Sequence, residues 1–308
     1  MSDPAERCAT TAVDVVVPTR DRPLQLARLL DDLGAQTVLP ASVTVVDDST
    51  RPIPAPRSAR LPISTVRRAS TGRSISAAKN LGWRDGSAPL VAFVDDDNRL
   101  PPGLLAGLAA DLDEHPGWGA VMPGVLYRRR PDLVWVYAAP FRAGRWAFEL
   151  IGRNAPRDHR LERSPLPTDA LPNLSMIRRS VLRAVGGFDE RLPISSSADL
   201  CQRIKAAGWE VWADPRWLTE HDVEPPGAPG YWAEHTIADV ERHRLETADW
   251  LRFHARWNAR DTLFPVRAGY HALGFLGPHL LAVGLRSPSA MVRHAAAALS
   301  GFRAGRVG

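Results

Sequence analysis

The sequence predicts an α/β domain on a mostly parallel central sheet flanked by helices, followed by a C-terminal helical extension. Three observations carry this prediction. Short apolar, β-branched runs alternate with segments of helical period four times in the first third of the chain. Each run ends in polar or acidic residues, which is where open α/β sheets bind ligands. From Tyr231 onward the pattern changes to charged and apolar residues at helical spacing, with no internal repeat.

Val13–Val17 is an apolar, β-branched run, interrupted once by Asp14 and closed by Pro18, as expected of a buried parallel strand. Leu24, Leu26, Leu29, Leu30 and Leu33 then recur at helical spacing, and Ser42–Val46 forms a second strand ending in Asp47-Asp48-Ser49-Thr50. A Pro- and Arg-rich loop follows, then a short strand at Ile63–Val66 and a helix over Gly72–Gly82. Pro89–Val94 is the fourth strand and runs into Asp95-Asp96-Asp97-Asn98, after which Pro101-Pro102 opens the next helix, since proline is tolerated in a first turn. Strands near Gly119–Tyr127 and Leu133–Tyr137 lie in a less periodic middle section. The expected organisation is one domain over 1–230, with a first half at about 13–118 and a second at about 119–230, and a helical extension over 231–308.

Composition bounds the function. The chain has 308 residues, 44% hydrophobic and 24% charged, so it can bury a large core. Its net charge of +5 invites a nucleic-acid reading, but only Lys79 and Lys205 are lysines; the other 37 basic residues are arginines interleaved with Asp and Glu. No nucleic-acid partner is expected. Cys8 and Cys201 stand far apart, which excludes a disulfide framework and any CxxC metal site. The first residues lack a signal-type apolar stretch, and the apolar region Ala268–Leu285 is interrupted by His271, Pro278, His279 and glycines. The expectation is a cytoplasmic protein whose membrane contact is at most peripheral.

Three successive aspartates after a buried strand repel one another unless a positive group neutralises them. Hard oxygen ligands at a strand end suit Mg²⁺ or Mn²⁺ held partly by substrate phosphates. Capping of the following helix explains one aspartate, hardly three. Asp47-Asp48 alone reads as a turn, and Pro18-Thr19-Arg20 alone as a connection.

Together these stretches resemble family 2 glycosyltransferases of the GT-A, nucleotide-diphosphosugar fold. The residues that carry the likeness are Val-Val-Val-Pro-Thr-Arg-Asp-Arg-Pro at 15–23, Val-Val-Asp-Asp-Ser at 45–49 and Ala-Ala-Lys-Asn-Leu-Gly at 77–82. Ala-Phe-Val-Asp-Asp-Asp-Asn at 92–98, Gly-Gly-Phe-Asp-Glu at 186–190 and Ala-Asp-Leu-Cys-Gln-Arg-Ile at 198–204 complete it, over about residues 13–222. The resemblance implies a nucleoside diphosphate sugar donor and Mg²⁺ or Mn²⁺. It implies that Pro18, Thr19 and Arg20 line the nucleoside pocket, that Asp47 and above all Asp48 meet the base, and that Arg73 and Lys79 contact the diphosphate. Asp95 and Asp97 would be the ends of the Asp-x-Asp motif, with Asp97 on the metal and Asp95 or Asp96 at the ribose, and His221 would touch metal or diphosphate.

One departure stands out. Inverting relatives carry Glu-Asp, the Asp acting as general base, where this chain has Ser196-Ser197. A serine hydroxyl does not titrate near neutrality and is no base there. Either a neighbour supplies the base, Asp199 being the nearest carboxylate; or the acceptor is a thiol, which with a pKa of about 8.5 ionises far more readily than an alcohol; or the protein retains configuration or has lost turnover. The expected activity is metal-dependent sugar transfer to a small-molecule acceptor. The alternatives are a nucleotide-sugar-binding pseudoenzyme and a polysaccharide or cell-envelope transferase. Sugar nucleotidylyltransfer would require a Gly-rich loop after the first strand, which Pro18–Pro23 is not. The amphipathic segment from Tyr231 fits a helical brace, an acceptor site, a membrane surface or self-association.

Overall fold

A computed structural model describes residues 11–54, 60–68, 74–142, 147–192, 194–228, 240–258 and 287–305, with single residues 266, 280, 281, 283 and 285. The chain forms two compact units, Met1–Asp189 with Leu200–Val223, and Glu190–Asp199 with Glu224–Gly308.

In the first unit, strands β1 (Val13–Thr19), β2 (Ser42–Asp47), β3 (Ile63–Arg67) and β4 (Leu90–Val94) alternate with helices α1 (Pro23–Gly34) and α2 (Ile75–Arg84). Next come β5 (Asn98–Arg99), α3 (Leu104–Glu114), β6 (Trp118–Tyr127), β7 (Arg130–Val136), β8 (Phe141–Arg142), β9 (Ala147–Phe148), β10 (Leu166–Pro167), β11 (Leu174–Arg178) and α4 (Arg179–Val185). Helix α5 (Ser196–Ala206) and strand β12 (Glu210–His221) follow, α5 contributing to both units. Among the described residues the main sheet runs β10-β12-β6-β11-β4-β1-β2-β3, with β5 paired to β12 and β7 to β6. It is mixed, and its parallel ladders, β4-β1-β2-β3 and β6-β12, carry most of the paired residues. The reversed strand β11 joins the two parallel groups.

The strands are mainly apolar because both faces are covered, and the charged Asp14 inside β1 is buried with Arg179 as its partner. Val13, Val15 and Val17 face α1 and α3, packing with Leu26, Leu29, Leu33 and Leu108, while Val16 meets Val46, Phe93 and Ala78 on the opposite face. Leu24 falls outside the buried stripe of α1 and is exposed. Ser74 caps α2, its Oγ accepting from the Ala77 N–H at 3.3 Å. Gly82 then lets α2 approach the sheet: a Cβ there would overlap Val16. Pro101-Pro102 form the turn that leads into α3, which starts at Leu104 with its N–H donating to the Pro101 carbonyl (3.1 Å); their carbonyls also accept from Gln36 Nε2 (2.9 Å) and Thr37 N–H (2.8 Å), tying down the turn after α1. Gly186, at φ 79°, ends α4, and Gly187 sits at φ 75°. Asn80 holds that turn, exchanging two 2.9 Å hydrogen bonds with the Phe188 backbone, so the motifs at 77–82 and 186–190 form one structural joint.

In the second unit, α6 (Val240–Trp257) packs on α7 (Pro288–Gly305). Small residues permit the approach: a Cβ on Gly301 would overlap the Arg244 carbonyl, and one on Gly305 would press on Leu251. The buried Asp249 accepts from the Ile194 and Ser195 N–H groups at 2.8 and 2.9 Å, anchoring the start of α5 to α6. Among the described residues no helix is long and apolar enough to cross a membrane.

Two stability predictions follow from packing and buried charge. Gly107 in α3 lies against the Trp217 ring, whereas a Cβ on Gly103 meets nothing within 4 Å. Gly107→Ala should cost about 1–3 kcal/mol in urea unfolding and Gly103→Ala almost nothing. Asp111 is buried beside Asp214 and bonded to Arg216 Nη2 (3.0 Å) and Trp217 Nε1 (2.9 Å). Burial, then the Asp214 charge, pushes its carboxyl up to about 8. The folded state thus holds a proton that the unfolded chain releases, so stability is lost as pH rises from the ordinary carboxylate range through about 8. Thermal unfolding of Asp111→Asn should show a flatter decline over that window; an identical slope would refute the assignment.

Candidate functional site

The site is built where β4 ends. All five β4 residues are buried, and the chain leaves the sheet at Asp95. The Asp95 N–H donates to the Asn173 carbonyl (3.1 Å), and the Asp95 carbonyl accepts from Asn98 N–H (3.2 Å) and Nδ2 (2.9 Å). Asn173 holds φ 66°, uncommon outside glycine, and its Nδ2 donates to Asn98 Oδ1 at 3.3 Å. This tight turn sends the three carboxylates in different directions.

Each carboxylate meets a different element. Asp95 Oδ1 lies 3.1 Å from Lys79 Nζ on α2. Asp96 accepts from Thr19 Oγ1 at the end of β1 (2.7 Å) and from Arg22 Nη1 just before α1 (3.1 Å). Asp97 Oδ2 accepts from the same Arg22 nitrogen (2.7 Å) and lies 3.4 Å from His221 Nε2. His221 is delivered by the pairing of β12 with β5, which sets it opposite Asn98, and the next N–H, of Asp222, donates to the Asp97 carbonyl at 2.9 Å. Trp135 stands edge-on to the imidazole with ring centres 5.0 Å apart.

The two buried neighbours titrate in opposite directions. Burial, reinforced by the Asp97 charge, raises Asp96 to about 6 against the pull of Thr19 and Arg22. Burial also works against ionisation of Asp97, but the hydrogen bond and charge of His221, with Arg22, outweigh it and hold Asp97 at about 2. Asp97 is therefore the fixed anion of the pair. Its Oδ1 and the Nδ1 of His221 are buried without a hydrogen-bond partner.

The loops after β1 and β2 are tied together beside this cluster. The Asp48 N–H donates to the Thr19 carbonyl (2.9 Å), Asp21 at φ 54° accepts from Thr50 N–H (2.8 Å), and the Asp21 N–H donates to Ser49 Oγ (2.8 Å). Asp47 folds its own loop, accepting from the N–H groups of Ser49 and Ile53 at 2.8 and 3.1 Å. The Asp48 carboxylate is gripped by the guanidinium of Arg68, with Nε at 2.6 Å.

The structure thus gathers Thr19, Asp95, Asp96, Asp97, Lys79 and His221, with Asp47 and Asp48 on the adjoining strand end. Pro18 is buried within β1, while Arg20 is exposed and only loosely paired with Asp21. Arg73 lies outside the described residues. Ser196, Ser197 and Asp199 belong to the second unit. Ser196 is buried and Ser197 half-buried; Asp199 is fully buried, accepting from Trp257 Nε1 (2.9 Å) and paired with Arg256 (3.1 Å). It is neither solvent-facing nor a simple cap. Arg22, Arg68 and Asn173 carry roles that sequence reasoning missed. Arg22 had a signal, its place inside the quoted 15–23 stretch; Arg68 and Asn173 had none, because their partners are distant in sequence.

The residues fit a hard divalent ion that is shared with a ligand. Among the described residues no group of three or more His, Cys, Asp or Glu side chains is arranged to hold a metal by itself. Asp97 Oδ1, and the Nδ1 of His221 once the imidazole is neutral, would be the donors this cluster offers, and an ion of Mg²⁺ type completes its shell with phosphate oxygens and water.

Comparisons with known proteins give the family and the fold. The profile described as "Glycosyl transferase family 2" matches residues 14–186. The chain is 29% identical over 242 residues to the pre-mycofactocin glycosyltransferase of Mycobacterium tuberculosis, a match covering 78% of this chain but only 44% of that protein. It is 29% identical over 297 residues to the N-acetylglucosaminyl-diphospho-decaprenol L-rhamnosyltransferase of the same organism, covering 82% of this chain and 91% of the relative. Among solved structures it is similar in fold to the mannosyltransferase PcManGT from Pyrobaculum calidifontis, with TM-score 0.52, 19% identity, and 99% of this chain and 79% of that chain covered. It is likewise similar to GalNAc-T7, with TM-score 0.55, 14% identity, and 79% and 50% covered. With its profile match extending over more than half of the chain and its acidic motifs at the strand ends of the GT-A fold, the protein belongs to glycosyl transferase family 2.

Proposed function

We propose that this protein is a metal-dependent glycosyltransferase that moves a sugar from a nucleoside diphosphate donor to a small-molecule acceptor, an alcohol or a thiol, with inversion. The observation that carries the reading is Asp97: an anion held at about 2 by His221 and Arg22, with a buried oxygen left unpaired at the carboxyl end of the parallel strands. The solved relatives of like fold include PcManGT in complex with GDP-Man and Mn²⁺ and GalNAc-T7 with UDP, GalNAc and Mn²⁺.

In this reading Thr19 and the loops around Asp48 form the nucleoside pocket, with Arg68 sharing the base-facing end because it already holds the Asp48 carboxylate. Asp96 serves the architecture, locking Thr19 and Arg22 in place. Lys79 neutralises Asp95, which leaves that carboxylate available to the ribose or the diphosphate. Asp97 and His221 would hold Mg²⁺ or Mn²⁺, and the ion would neutralise charge that builds on the diphosphate leaving group. Arg22, touching both Asp96 and Asp97, sets the orientation of the metal-facing carboxylate.

Asp199 is the weakest candidate for general base, because Arg256 and Trp257 occupy its buried carboxylate. With Ser196 and Ser197 offering no titrating group, the acceptor must bring much of its own nucleophilicity, which favours one that ionises easily.

Two experiments test the proposal. UDP-, GDP- and dTDP-sugars with Mn²⁺ are screened by thermal shift. The matching donor should stabilise the wild type by about 2.7 kcal/mol at about 100 times its Kd. Asp97→Ala should abolish the metal-dependent part; an Asp97→Ala protein that binds metal and donor as tightly as wild type refutes the site. Asp199→Asn should lose about 1–3 kcal/mol of stability while its folded fraction turns over within about threefold of wild type. A loss of about 10²-fold in kcat at unchanged stability would instead assign Asp199 as the base.

A further inference from the structure

The whole positive excess of the chain lies in its tail. Residues 262–308 contain five arginines, Arg267, Arg286, Arg293, Arg303 and Arg306, and no lysine, aspartate or glutamate. The full chain has 39 basic and 34 acidic residues, so everything before residue 262 has 34 of each and is neutral in sum. Apolar exposure is concentrated in the same stretch. Val266, Leu281, Leu285, Met291, Val292 and Leu299 are exposed, five of them at 63–79%.

Helix α7 shows how these features are arranged. Its inner face is made of small residues and His294: Ala290, His294, Ala297, Ala298, Gly301 and Gly305 are buried, with Gly301 and Gly305 against α6. On the opposite face Val292, Ala296 and Leu299 follow one another at helical spacing and are all exposed, ending in the exposed Arg303, with Met291 beside them and Arg293 on the flank. A helix that has already buried one face normally presents polar residues on the other. This one presents aliphatic side chains and arginines, with only Ser289 and Ser300 as uncharged polar residues and no acid among them, the pattern of a helix lying in a membrane interface.

We propose that the outer face of α7 is a docking surface for an anionic phospholipid bilayer. The charge argues for this occupant over a second copy, because two such faces brought together would oppose Arg293 and Arg303 with no acidic residue of the tail to pair them. It argues against nucleic acid as well, since phosphate does not cover Val292 and Leu299. Apolar insertion and attraction to anionic headgroups act together, and the second is screened by salt.

The test is co-sedimentation of the full chain with vesicles of phosphatidylcholine alone and of equimolar phosphatidylcholine and phosphatidylglycerol. Binding should be strong to the anionic vesicles, weak to the neutral ones, and should fall as NaCl is raised. Val292→Asp with Leu299→Asp should lower anionic-vesicle binding by at least about tenfold. Arg293→Gln with Arg303→Gln should weaken it and reduce its salt dependence. Because these side chains are exposed, the thermal unfolding midpoint should stay at the wild-type value; Val292→Ser with Leu299→Ser repeats the test if the aspartates disturb folding. No binding to anionic vesicles, binding unchanged in both pairs of variants, or a wild-type dimer that the Val292/Leu299 variants convert to monomer would each overturn the proposal.

Discussion

The first unit is organised around the cost of placing three carboxylates in sequence at the end of a buried strand. Two unit charges about 4 Å apart interact by about 4 kcal/mol at the effective dielectric of a protein surface, so Asp95, Asp96 and Asp97 need separate partners. The fold supplies them from four places: Lys79 on α2, Thr19 at the end of β1, Arg22 before α1 and His221 at the end of β12. Meeting this demand fixes where those elements stand relative to β4. The middle carboxylate is consumed in the process, bonded on both oxygens to the β1–α1 connection. Its neighbour Asp97 keeps one buried oxygen without a hydrogen-bond partner, which leaves it more available than Asp96.

The sheet was legible in the sequence for a simple reason. Strands covered on both faces are mainly apolar, so β1, β2 and β4 read as β-branched, apolar stretches despite Asp14 and Thr44 within them, and β2 and β4 run directly into aspartates. Helix ends were less legible. Pro101-Pro102 lies in the turn just before α3 and not in its first turn, and its carbonyls also serve the turn after α1, a long-range use that no local pattern announces. The same limit applies to the site. Its acidic residues stand out by their place after strands, whereas the cations that position them are single arginines among 37. Asp199 shows the limit most clearly: its partners Arg256 and Trp257 lie far along the chain in α6, and nothing near residue 199 anticipates them.

Arginine abundance has two different physical meanings in this chain. In the first unit many arginines answer a particular buried or half-buried acid. Arg22 serves Asp96 and Asp97, Arg68 serves Asp48, Arg99 serves Asp32, Arg179 serves Asp14 and Arg216 serves Asp214. Several grip with more than one nitrogen, as the planar guanidinium allows and an ammonium does not. Asp14 and Arg179 are the most buried of these pairs. Arg179 Nε also reaches the Ala88 carbonyl at 2.6 Å, so one guanidinium closes the start of β1, the loop before β4 and the start of α4. A pair buried this deeply adds little net stability over apolar packing, but removing one partner strands the other, so its main effect is to fix register.

In the tail the arginines face no acid of their own segment. Matched charges hold a structure together and cancel at long range, whereas an unmatched run remains visible to a partner and falls off over about 8–10 Å at physiological salt. The overall +5 is thus a poor descriptor of the molecule. It averages residues 1–261, which are neutral in sum and include the negative cluster at the strand ends, with a tail whose only Asp, Glu, Lys or Arg residues are five arginines. On the two proposals made above, the regions would recognise different chemistry: a cation with a diphosphate at the strand ends, and an anionic surface that also accepts apolar side chains at the outer face of α7.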